Sequence, residues 1–80
     1  MNRFINASTD TQTLRALVRC RSVEMQSLIR LFQELYQESL VALAAADGEK
    51  RIHQLQERAL MAKDFLDAVN QAASLVDRSR

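Results

Sequence analysis

The chain has no proline, no tryptophan, one glycine and one cysteine in 80 residues. Proline and glycine punctuate reversals, so their scarcity excludes a sandwich, a barrel or any fold with many turns. The lone thiol, Cys20, excludes an internal disulfide framework. Charge of one sign is also missing. Eleven basic residues against ten acidic leave a net +1, so there is no strong global pull toward nucleic acid or acidic lipid. No run approaches the ~18 uninterrupted apolar residues of a membrane span. The opening Met1-Asn2-Arg3-Phe4-Ile5-Asn6-Ala7-Ser8 lacks the apolar stretch of a secretory signal, so a cytoplasmic location is expected. The remainder is 48% apolar and 26% charged, a globular balance. At this length only about 60% of the unfolded surface is buried on folding, which allows one domain with a thin core.

Residues 1–10 read as a polar N-terminal arm, and 11–80 as a single helical-hairpin domain. Thr9-Asp10-Thr11-Gln12 has the spacing of a capping box, and Asp10 is an equally good N-cap in the next register. Helical periodicity then runs from about 11 to 46. Val18, Met25, Leu28, Phe32, Leu35 and Ala42 form a heptad seam, with Arg21 and Ser39 at the intervening positions. A turn is expected at about 47–48, where Gly48 takes positive φ freely and Asp47 can cap the next helix. A second helix over about 49–77 repeats Ile52, Leu55, Ala59, Ala62, Leu66, Val69, Ala73 and Val76 at three- and four-residue spacing. Glu49 at its start and Arg78 and Arg80 at its end match the helix dipole. The expected fold is all-α, an antiparallel, coiled-coil-like two-helix hairpin.

Beside the main seam the second helix carries a further apolar stripe: Met61, Phe65, Ala68, Ala72 and Leu75. In the first helix, Leu40 and Val41 point away from the line of Phe32 and Leu35. Two packed helices cover one face each, and a helix that is apolar well beyond ~100° of its circumference calls for a second partner. These seven residues are therefore the expected partner-binding face. The expected partner is a second copy, giving a homodimeric four-helix bundle, or another protein.

No pattern points to catalysis, a cofactor, a metal or a small-molecule ligand. His53 has no set of ligating neighbours at helical spacing. Cys20 lies between Arg19 and Arg21, but adjacent helical residues diverge, which favours an inert thiol. The carboxylates Glu34 and Glu38, and Asp64 and Asp67, sit on helix faces with no concave scaffold to tune them. The one electrostatic feature is basic. Arg3, Arg15, Arg19 and Arg21 are opposed only by Asp10 within residues 1–23. Arg15, Arg19 and Arg21 are thus candidate contacts for nucleic acid or an acidic partner, although no aromatics interleave with them.

In size, in its two antiparallel helices of similar length, and in the leucine- and alanine-rich run Leu55-Gln56-Glu57-Arg58-Ala59-Leu60 through Phe65-Leu66, the sequence resembles the small export chaperones and co-chaperones of bacterial type III secretion. That resemblance implies a non-enzymatic adaptor that binds a secretion-system subunit through an apolar helical face. The secreted WxG-type hairpins fit less well, because this chain has no tryptophan and turns at Ala46-Asp47-Gly48. Needle subunits carry prolines in their turn, and this chain has none. The Rop-like hairpin dimers, which bind RNA on a helical face, are similar in architecture. The alternatives to an adaptor are therefore a nucleic-acid-binding hairpin dimer and a small regulatory inhibitor that docks a helix into a host protein.

Overall fold

The 30-residue helix α3, Glu49–Arg78, is the spine on which everything else packs. The computed structural model describes residues 2–78, with side chains as far as Val76. The Arg78 side chain and Arg80, expected to complement the end of this helix, lie outside the described residues. All secondary structure among the described residues is helical: α1 at Thr11–Arg19, a one-turn 3₁₀ helix at Val23–Met25, α2 at Gln26–Ala44, then α3.

α2 and α3 pack against each other in opposite directions, with Phe32 on Phe65 and Leu40 across from Leu60. Of the expected α3 seam, Leu55, Ala59, Ala62 and Val69 are each no more than 6% exposed, and Ile52, Leu66, Ala73 and Val76 are half-buried. Across from it Met25, Leu28, Phe32, Leu35 and Ala42 are half-buried, and Ser39 is fully buried. The Ser39 hydroxyl donates to the Leu35 carbonyl at 2.7 Å, so this polar seam position is satisfied within its own helix. α2 ends at Ala44, and Gly48 turns the chain at φ +91°. Gly48, rather than Asp47, takes the N-cap position of α3, its carbonyl accepting from Ile52 N at 3.1 Å.

The single first helix expected over 11–46 is broken between Arg19 and Gln26. Register explains the break. Phe32 stacks on Phe65, and each step back along one helix of the antiparallel pair is a step forward along the other. In a straight helix Leu14, eighteen residues before Phe32, would lie about 27 Å beyond that stack, well past Ala68 and Ala72. A straight helix would carry Leu14, Leu17 and Val18 away from the Ala68 and Ala72 cluster on which they pack. Instead, the last turn of α1 tightens through i→i−3 bonds (Cys20 N to Leu17 O, Arg21 N to Val18 O, Ser22 N to Arg19 O), and Ser22 adopts an extended conformation. The Gln26 side-chain amide donates to the Arg21 and Ser22 carbonyls at 3.0 and 3.4 Å and so satisfies acceptors that the bend frees. α1 then lies back along α3, with Leu14 set against Ala68 and Ala72 and with Leu17, Val18, Leu75 and Val76 around that cluster.

The N-terminal arm, expected to be a polar lead-in, is part of the core at one point. Ile5 is 4% exposed and packs in the same cluster as Leu14, Ala68 and Ala72. A turn comes next, in which Asn6 N donates to Thr9 Oγ1 at 2.7 Å and Thr9 N to Asn6 O at 3.1 Å. Of the two candidate caps, Asp10 is the N-cap of α1: Thr13 N and the Thr13 hydroxyl both donate to its carboxylate. The hydroxyl bond is the main cause that holds the Asp10 carboxyl below its ordinary value of 3.8.

Leu14→Ala should destabilise the chain by about 2–5 kcal/mol, the range for emptying a buried leucine site, as measured by urea denaturation. The carboxyl of Asp10 is depressed on folding, so its contribution is complete above the carboxylate range and is lost as pH falls through it. Asp10→Ala should therefore lower the thermal midpoint at neutral pH and leave it less sensitive to acid than the parent, a difference that circular dichroism melts across that range would detect.

Candidate interaction surfaces

α3 presents three flanks, and each meets a different fate. Its central seam meets α2. The stripe meets α1 and the N-terminal arm from Phe65 through Ala68 and Ala72 to Leu75. Ala68 and Ala72 are 0% exposed, and Leu75 is half-buried beside them. Phe65 sits between two rings, stacked on Phe32 at a centroid distance of 4.1 Å and met edge-on by Phe4 at 5.8 Å. The expectation that this stripe is surplus is thus corrected for those four residues. The bend after Arg19 supplies a third helical segment, and the stripe is covered from within the chain. Met61, at the end of the stripe near the hairpin turn, keeps 36% of its surface exposed.

The third flank is open. Tyr36, Leu40 and Leu43 of α2 face Ala59, Leu60 and Lys63 of α3 across an open groove of about 350 Å³. Leu40 is 39% exposed and Leu60 47%, which leaves two large aliphatic side chains in water on the same concave surface. Farther along the same two helices, Ile29 and Gln33 face Leu66 and Asn70, so the groove becomes more polar toward the bend. Of the residues expected on a contact face, the structure therefore puts only Leu40 in this groove. Val41, 72% exposed, is one helical step of about 100° from Leu40 and projects from another side of α2. Leu60 was missed because it belongs to neither apolar repeat of α3. The signal for it was its place three residues after Glu57 and three before Lys63 on a face otherwise polar.

The basic residues also separate. Arg15 and Arg19 project from one exposed face of α1, bordered by Thr11, Gln12 and Ala16. Arg21 lies in the bend, beside Gln26 and Asn70 of the polar end of the groove. Arg3 leaves the cluster altogether: its Nε is 2.9 Å from Asp64 Oδ2, and its Nη1 is 3.6 Å from Glu57 Oε2. His53 is exposed, and the half-buried Cys20 thiol points at the Ala16 carbonyl, 3.6 Å away. Among the described residues no three His, Cys, Asp or Glu side chains gather as a metal site would require, and no helix is long and apolar enough to cross a membrane.

No protein-family model, curated protein or solved structure matches this chain.

The two apolar residues at the extremes should respond oppositely to substitution. Phe65→Ala removes a ring from between two others and should cost about 3–5 kcal/mol. Val41→Asp, on an open helix face, should stay within about 0.5 kcal/mol of the parent in the same urea titration.

Proposed function

We propose that this chain is a non-enzymatic protein–protein interaction module, a small helical adaptor or chaperone that receives an amphipathic helix in the groove between α2 and α3. The observation that carries the proposal is the pairing of Leu40 and Leu60, both more than a third exposed, across a concave surface. Two size measures support it. The chain exposes 5990 Å², whereas a compact monomer of 9.1 kDa exposes about 4,900 Å². Its radius of gyration is 14.6 Å, against about 12 Å for a compact domain of 80 residues. The excess area is comparable to the ~800 Å² that each partner contributes to a standard interface.

A second copy is the simplest partner. With a two-fold axis parallel to the helices, α2 of one copy lies over α3 of the other at the same level. Leu40 then meets Leu60 of the second copy twice, and two α2–α3 pairs make a four-helix bundle. A secretion-system subunit, as the resemblance to type III export chaperones implies, would use the same groove. The nucleic-acid reading is weaker, because Arg3 is engaged with Asp64 and Arg21 sits apart from Arg15 and Arg19.

Sedimentation equilibrium of the purified chain should give a dimer, and Leu60→Asp should give a monomer with unchanged helicity. A monomeric parent that recovers no protein partner when tagged in its own cells, or a Leu60→Asp variant that still associates, would overturn the proposal.

A further inference from the structure

We infer that the cleft between α1 and α3 is a recognition site for a short peptide turn with side chains in the order basic, aromatic, aliphatic, the conformation that Asn2 imposes on the chain's own arm. The chain's own Arg3-Phe4-Ile5 is the resident competitor for that site. This surface lies on the flank of α3 away from the groove, and the inference does not depend on the groove's role.

The arm is held by its side chains. The Phe4 and Ile5 amides donate back to Asn2 Oδ1 at 2.8 and 3.3 Å, so its backbone hydrogen bonding is satisfied locally. Contact with α3 is made in three successive positions. Asp64 and Glu57 take the Arg3 guanidinium, and the Asp64 side chain is itself only 18% exposed. The Phe65 ring takes Phe4 edge-on, with 82° between the planes. A slot floored by Ala68 and Ala72 and walled by Leu14 takes Ile5. Two fully buried alanines leave room that a branched aliphatic side chain fills, so the slot selects for bulk at the third position. The Asn2 amide adds one backbone anchor, donating to the Asp64 carbonyl at 2.7 Å.

Acid, aromatic edge and small-residue slot thus form a linear code on one helix, complementary in charge and shape to the segment lying on it. Phe4 remains 40% exposed, so the resident segment fills the site incompletely. Its advantage is tethering. The turn at Asn6–Thr9 keeps it beside the cleft at an effective concentration of about millimolar. A matching segment from another protein gains the site once the arm is loosened.

The test uses the full chain and a fluorescent peptide with the sequence of residues 2–9. The double change Phe4→Ser and Ile5→Ser releases the arm and leaves every α1 and α3 residue of the cleft in place. Anisotropy titration should show the peptide binding this variant at least about tenfold more tightly than the parent. A scrambled peptide should not bind. Adding Asp64→Lys should abolish binding, and a peptide carrying Arg3→Glu should restore it. Equal binding to parent and variant, binding to neither, or equal binding of the scrambled peptide would overturn the inference. Arg3→Glu alone, which leaves Phe4 and Ile5 in place, covers loss of fold in the double variant. It should bind the peptide at least about threefold more tightly than the parent, and no gain would equally overturn the inference. Concentration-dependent dimerisation of the parent that free peptide reverses would assign the cleft to arm exchange between copies and overturn the competitor role.

Discussion

The circumference of α3 is the constraint on which the rest of the structure depends. Apolar side chains occupy its central seam, from Leu55 to Val69, and a second stripe, from Phe65 to Leu75. One antiparallel helix covers one of these. A straight partner would carry Leu14 past Ala68 and Ala72, so the first half of the chain divides. α2 takes the seam, and α1 with the arm takes the stripe. The division costs helical hydrogen bonds between Arg19 and Gln26, and it gains the cluster of Ile5, Leu14, Ala68 and Ala72. Burial of that kind contributes roughly 25 cal/mol per Å² of apolar surface. Side-chain bonds from Gln26 limit the loss at the bend.

Small residues determine which surfaces close and which stay open. Ala68 and Ala72 let the arm and α1 approach α3 closely on one flank. Ser39, with its hydroxyl turned back onto Leu35, lets α2 do the same at the seam. On the third flank the groove between Leu40 and Leu60 has no such cover, and it is there that apolar surface remains in water. The molecule is correspondingly thin, its Cα atoms spanning 48 × 27 × 14 Å. That shape gives a short chain a long edge along which another helix can lie.

Much of this was legible in the sequence. The three- and four-residue spacing of Leu55, Ala59, Ala62 and Val69 specified the buried side of α3, Asp10 marked a helix start, and Gly48 marked the turn. The bend was hidden because Leu14 is five helical turns before Phe32, so the apolar phase continues through Cys20–Met25 as though nothing intervened. Ser22 before Val23 was the available signal, a capping residue type ahead of a β-branched one. The arm was hidden by its composition. Asn2, Asn6, Ser8 and Thr9 dominate it, while two side chains, Phe4 and Ile5, do its packing. The open groove was only half visible. Leu40 stood out from its seam, but its counterpart Leu60 lies outside any repeat, and no periodicity connects positions on different helices.

The two sides of α3 also differ in how far along the chain their partner lies. α2 reaches α3 through a few residues ending at Gly48, whereas the hydrogen bonds from Asn2 and Arg3 to Asp64 close loops of 62 and 61 residues. Closing the longer loop costs more chain entropy before any contact repays it. The contacts of the arm therefore carry a larger closure cost than those of α2, and their hold on α3 rests on the Ile5 slot and the Asp64 bonds that offset it.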